Sequence, residues 1–298
     1  MPWQQLSIEA GDLDAEALSD FFSDRGAVSV TFIDAADQPL YEPDPGTTPL
    51  WSSTRVTALF ESVADVASVK QQLAASFGAA TLERLTDTTV DDQDWERVWL
   101  DQFRPMRFGN HLWVCPDGMR PPDDDQAVII DLDPGLAFGT GTHPTTALCL
   151  AWLDAHPPRA ATVIDYGCGS GILAIAALKL GAEAVWAVDI DPQALWASNE
   201  NAERNQVAER LHTLLPDALP AQLCDLLLAN ILANPLLELA PQLAARVRPG
   251  GAVVLSGILE DQADRVRTAY ARWFDMAPVQ LSDGWACLQG IRSDGSVR

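Results

Sequence analysis

The sequence predicts an α/β protein, with a doubly wound parallel sheet preceded by a smaller α+β domain. Three observations carry that expectation. From residue 160 onward apolar strand patterns alternate with helical ones, the arrangement that buries a parallel sheet between two helix layers. Within that stretch Asp165-Tyr166-Gly167-Cys168-Gly169-Ser170-Gly171 separates an apolar run from an apolar helix. Ahead of it, the first 90 residues read strand, helix, strand, strand, helix, strand, which is the ferredoxin-like βαββαβ order.

Residues 3–10 alternate as a half-buried strand does. Asp12 is placed to cap a helix that turns Leu13, Ala17, Leu18 and Phe21 inward, with Gly26 to end it. Residues 27–33 form the second strand, a Pro/Gly/Asp loop covers 39–49, and residues 51–60 form the third strand. Asp65 caps a second helix with Val66, Val69, Leu73 and Phe77 on one face, Gly78 stops it, and a strand at 80–85 closes the order. No catalytic constellation falls in residues 1–90, so they read as a substrate-recognition domain.

Residues 91–103 (DDQDWERVWLDQF) read as an acid-capped linker helix. Trp95 and Trp99, four apart on it, are read as packing rather than as a substrate cage. The second domain spans 104–298. It opens with a segment that turns through Gly109-Asn110 and returns as a strand, followed by a short strand at 128–131. Core strands follow at 162–165, 185–190, 211–215, 223–229 and 251–256, with a final antiparallel edge pair, 279–281 and 285–291, joined by Asp283-Gly284.

Composition narrows the classes. The 298 residues are 48% hydrophobic, enough for a sizeable core, and no run suits a membrane span or secretory signal. The five cysteines are scattered, as reduced cytoplasmic thiols are, and indicate neither a metal site nor a disulfide framework. The net charge of −23 opposes a large nucleic-acid footprint and favours a basic partner. Between Met1 and Asp94 lie 17 acidic and 4 basic residues, a net −13. Only Lys70 and Lys179 are lysines among 19 basic residues, so genome-wide composition is an equal explanation of the acidity.

The glycine run carries the chemistry. Glycines between a strand and a helix let backbone N–H groups approach a ligand at the positive helix end. The spacing is G-x-G-x-G, tighter than in dinucleotide sites, with no evident pyrophosphate seat. A smaller zwitterion, the methionine part of S-adenosylmethionine (SAM), fits Gly167 and Gly169 better. Asp189, at the end of the next strand, can accept both ribose hydroxyls. Upstream, Thr142 is placed to cap a helix whose first turn holds Pro144 and Thr145, suited to the methionine carboxylate. His143 reads as structural there. Asn230, ending the fourth core strand, faces the reacting methyl and is the candidate catalytic residue, accepting from an amine and aiming its lone pair. Ile231-Leu232-Ala233 follow instead of an aromatic lid, which favours an aliphatic amine over a planar base. Asp217 could reach the adenine amino group or simply form a turn.

These motifs together resemble the PrmA family, methyltransferases of ribosomal protein L11. The resemblance rests on Asp94-Trp95-Glu96-Arg97 with Trp99, on residues 104–109 (RPMRFG), on 132–146 (LDPGLAFGTGTHPTT), on 165–177, and on Asn230-Ile231-Leu232-Ala233. It implies a ferredoxin-like domain that grips the substrate, a linker helix, and a Rossmann-like class I SAM methyltransferase domain. It further implies methylation of lysine ε-amines and an α-amine of the substrate protein, and SAM contacts at Thr145, Gly167, Asp189 and Asn230. A glutamine-amide methyltransferase of another translation protein, or a SAM-binding scaffold that docks on the ribosome without catalysis, are the alternatives.

Overall fold

Alternating burial builds the amino-terminal sheet. The computed structural model describes residues 2–36, 50–90, 104–116, 119–121, 126–132 and 142–294. They belong to two units, Met1–Trp95 and Glu96–Arg298. In the first, β1 (Trp3–Glu9), β2 (Ser29–Asp34), β3 (Thr54–Glu61) and β4 (Leu85–Val90) pair antiparallel in the order β2-β3-β1-β4. Leu6 and Ile8 of β1 and Val56, Ala58 and Phe60 of β3 turn to one face. There they meet Leu18 and Phe22 of α1 (Ala15–Ser23) and Val69 and Leu73 of α2 (Val66–Phe77). This is the ferredoxin-like arrangement that the sequence predicts.

Two local expectations are corrected. Asp14, not Asp12, caps α1 by accepting the N–H groups of Glu16 and Ala17. Asp12 instead pairs with Arg84 at 2.7 Å, and that guanidinium lowers its pKa. The strand expected at 80–85 starts later. Ala79–Glu83 is a 3-10 turn, because Thr81 donates both its N–H and its hydroxyl to the Gly78 carbonyl, and β4 begins at Leu85. The linker helix expected at 91–103 lies outside the described residues.

The second unit opens with β5 (Met106–Phe108), β6 (Leu112–Pro116) and β7 (Val128–Leu132), where β5 and β6 are antiparallel and β6 and β7 parallel. Asp154, buried on α3 (Pro144–Ala155), accepts the Asn110 and His111 N–H groups and so fixes the Gly109-Asn110 turn. The main sheet follows, in chain order: β8 (Thr162–Tyr166), α4 (Ile172–Lys179), β9 (Ala184–Val188), α5 (Pro192–Arg204), β10 (Leu211–Leu214) and β11 (Cys224–Asn230). Then come α6 (Ala233–Arg246), β12 (Val247–Leu259), α7 (Ala263–Tyr270), β13 (Phe274–Met276), β14 (Gln280–Ser282) and β15 (Trp285–Arg292).

The sheet order is β10-β9-β8-β11-β12-β15-β13, with β14 also beside β15. Neighbours from β10 to β12 are parallel. Their residues alternate between two cores. Val163, Leu226, Leu228 and Val254 pack with α3 and α4, while Ile164, Leu227, Val253 and Leu255 pack with α6 and α7. Strands covered on both faces read as unbroken apolar runs, which is how the sequence shows them. The connection reverses between β8 and β11, so the carboxyl ends of these strands frame a crevice.

The closing hairpin forms as expected. Asp283 (φ 50°) and Gly284 (φ 78°) make the expected tight turn. β15 pairs with β12 on one side and with β14 on the other, which puts the antiparallel pair at the edge of the sheet, and β13, beside β15 as well, is the strand the sequence reading lacked. The three-residue β13 is too short to show a period in sequence.

Candidate active site

The residues singled out from sequence meet at the carboxyl ends of β8, β9 and β11. Gly167, Gly169 and Gly171 all have positive φ (79°, 52° and 77°), a backbone shape costly for other residues. Cys168 and Ser170 are buried between them, so the half-exposed Gly167 and Gly169 are what the loop offers to a ligand. The Gly167 and Cys168 N–H groups donate to the Val188 carbonyl, binding the loop to the end of β9.

One residue on, Asp189 accepts the Gly169 N–H at 3.0 Å through Oδ2 and the Asp191 N–H at 3.0 Å through Oδ1. A carboxylate oxygen has a second lone pair, so both oxygens can still accept a hydroxyl. Ile190 follows at 81% exposure, an apolar side chain facing outward beside that carboxylate. Asp217 lies exposed in the 3-10 turn Pro216–Ala218.

Asn230 ends β11, and its amide Nδ2 donates to Thr146 Oγ1 at 3.2 Å. The next residue, Ile231, is held between two glycines. A Cβ on Gly167 would collide with Ile231 Cγ2, and a Cβ on Gly257 (φ 80°) with the Ile231 carbonyl oxygen. Gly257 falls where the β12–β15 register shifts.

At the start of α3 the sequence expectation needs correcting. His143, not Thr142, is the N-cap, and its Nδ1 accepts the Thr145 N–H at 3.4 Å. The Thr145 hydroxyl lies 2.7 Å from the same nitrogen, and the His143 ring sits edge-on to Trp285 at 4.7 Å. Accepting requires a neutral imidazole, and burial lowers the His143 pKa accordingly. An imidazole in place of a Ser, Thr, Asp or Asn oxygen is why residue-type preference pointed to Thr142.

Sequence reasoning missed the supports of the glycine loop, which come from distant residues. Ser198 Oγ donates to the Gly169 carbonyl at 3.0 Å and Asn201 Nδ2 to that of Ser170 at 3.0 Å, both side chains fully buried on α5. Asn205 exchanges hydrogen bonds with the Asp131 backbone, tying α5 to β7. The polar residues spaced along an otherwise apolar-facing α5 were the available signal. Asp165 is a further one. Its Oδ2 accepts the Ala174 N–H at 3.0 Å, supplying the cap that Gly171 cannot. Its Oδ1 has no hydrogen-bond donor among the described residues. Burial pushes its pKa up to about 7 against the opposing Ala174 bond, with the Asp189 charge adding to the rise.

A SAM molecule fits this arrangement. The glycine loop offers half-exposed backbone at Gly167 and Gly169, and a carboxylate with spare acceptors stands beside it at Asp189. Among the described residues no group of three or more His, Cys, Asp or Glu side chains could hold a metal ion. All five cysteines are free and buried. Glycines at positive φ after the first strand of a doubly wound sheet, and an acid closing the second, make a nucleoside-binding site, and with the family match below it is that of a SAM-dependent methyltransferase.

Comparison with known proteins agrees. Residues 2–293 match the family of ribosomal protein L11 methyltransferases (PrmA), and the chain belongs to that family. It is 56% identical over 291 residues to the ribosomal protein L11 methyltransferase of Methylococcus capsulatus, covering 97% of this chain and 99% of the relative. It is 53% identical over 293 residues to that of Pseudomonas putida, covering 98% of this chain and all of the relative. A crystal structure of ribosomal protein L11 methylase from Lactobacillus delbrueckii subsp. bulgaricus superposes with a TM-score of 0.59 at 36% identity, covering 64% of this chain and all of that one.

Proposed function

We propose that this protein transfers methyl groups from SAM to lysine ε-amines and the α-amine of ribosomal protein L11, a basic partner suited to a chain of net charge −23. The observation that supports the amine substrate most directly is the Asn230 amide. Its nitrogen is turned to Thr146, which leaves Oδ1 as an acceptor at the end of β11.

Bound SAM supplies an electrophilic methyl group on a sulfonium. Asp189 would hold the ribose hydroxyls, the Gly167 and Gly169 backbone would border the amino-acid portion, and the first turn of α3 at Thr145 would lie toward the carboxylate. Asn230 accepts an N–H of the incoming amine and aims its lone pair along the transfer axis. Orientation is then the main contribution of the protein, and no general base is assigned. The lysine must arrive neutral although its reference pKa is about 10.4, and apolar Ile231 and Leu232 beside Asn230 disfavour the ammonium by desolvation.

The ferredoxin-like unit is the substrate-recognition domain in this reading, with residues 91–103 as linker and the remainder catalytic. No described helix is long and apolar enough to cross a membrane. We place the reaction in the cytoplasm, where a ribosomal protein substrate resides. Incubating the full-length protein with L11 and methyl-labelled SAM tests the proposal. Mass spectrometry should find stepwise addition at lysines and the amino terminus. A protein that binds SAM yet leaves L11 unlabelled would overturn it.

A further inference from the structure

Thr145 and Thr146 are adjacent in the first turn of α3 and both are buried, at 4% and 3% exposure, but they face different partners. The Thr145 hydroxyl is with His143, whereas the Thr146 hydroxyl meets the Asn230 amide across 84 residues of sequence. From this we infer that Thr146 is a positioning residue, whose hydroxyl anchors the Asn230 side chain where the amine approaches.

The two ends of a carboxamide have opposite effects on a nucleophile. Its oxygen accepts from an amine N–H and leaves the nitrogen lone pair open, whereas its NH2 group donates into that lone pair and occupies it. An Asn at a strand end can present either, because rotation by 180° exchanges two groups of nearly equal size. Here Nδ2 donates to Thr146 Oγ1, so Oδ1 takes the other side. Two features keep the arrangement in place. Thr146 sits on the capped first turn of α3, and Ile231, next to Asn230, has no free space between Gly167 and Gly257. The hydroxyl therefore acts on an amide whose backbone is already fixed, and what it adds is an anchor for the side chain.

The inference rests on the reading of Asn230 given above, and the experiment separates the two. Thr146→Val keeps the shape and removes the acceptor, whereas Thr146→Ser keeps the acceptor. Steady-state kinetics with L11, calorimetry with SAM and thermal melts are measured for both, for Asn230→Ala, and for the Thr146→Val/Asn230→Ala double variant. We expect Thr146→Val to lower kcat about tenfold to a hundredfold, the scale of a misoriented nucleophile, with KM for L11 and SAM affinity within about threefold. Thr146→Ser should restore most of kcat. The double variant should be no slower than Asn230→Ala, because the hydroxyl has no other role in turnover. Loss of SAM affinity equal to the loss of kcat, or Ser failing to restore a protein that melts normally, overturns the inference. An additive double variant does the same. If Asn230→Ala itself turns over normally, the reading of Asn230 fails first and carries the Thr146 inference down with it.

Discussion

Asp189 accepts the Gly169 N–H at 3.0 Å, so the glycine loop and the carboxylate after the next strand form one rigid element. Removing the acid therefore costs both ligand contacts and loop geometry. Asp189→Ala should weaken SAM binding more than a change at any single threonine. Two charge-assisted hydrogen bonds of roughly 1.5–3 kcal/mol each would go. Calorimetry showing less than a tenfold loss would remove Asp189 from the ribose site.

Asp165 makes stability fall as pH rises. Its folded pKa of about 7 lies above the unfolded value of 3.8, so the native state binds the extra proton between those limits. Relative to Asp165→Asn, the wild type should lose stability from about pH 4 to about pH 7 and hold level above. The full difference is on the order of 4 kcal/mol, at about 1.4 kcal/mol per tenfold change in protonation equilibrium. Urea unfolding of both proteins across that range measures it, and parallel curves would mean that Asp165 has no raised pKa.

Asn230→Asp tests the electrostatics of the amine site. A carboxylate could still accept from an amine, but it would hold a lysine protonated and raise its pKa. Turnover should fall at neutral pH and recover partly as pH rises. A variant with wild-type rates at neutral pH would leave Asn230 as a strand-end turn residue.

A chain beginning at Glu96 retains both cores that flank the main sheet. It should bind SAM within a few-fold of the full-length protein and fail to methylate intact L11. Full activity would assign the amino-terminal unit another task.

What sequence revealed and what it hid divides by distance along the chain. The glycine spacing, Asp189 and Asn230 were legible because each follows directly from a strand whose apolar run announces it. The ferredoxin-like order was legible for the same reason, since β3 alternates residue by residue. Asp12 and Asp14 show the limit, for both suit a cap and only the distant Arg84 decides between them. The partners of Ser198, Asn201 and Thr146 were hidden because they sit 29, 31 and 84 residues away, even though the polar spacing on α5 marked the first two as unusual. The position of β15 required knowing that β13, three residues long, exists at all.

That last strand gives the molecule a timetable. β15 is the partner of β12, β13 and β14, and it is the last strand of the sheet in chain order. Until it emerges from the ribosome, β12 exposes an unpaired edge and β13 and β14 have nothing to join, a form prone to aggregation. The sheet is thus finished only after every other strand in it has been made. A chain halted before Trp285 would lack the seam between the parallel and antiparallel halves, and no indole would stand against the ring of His143.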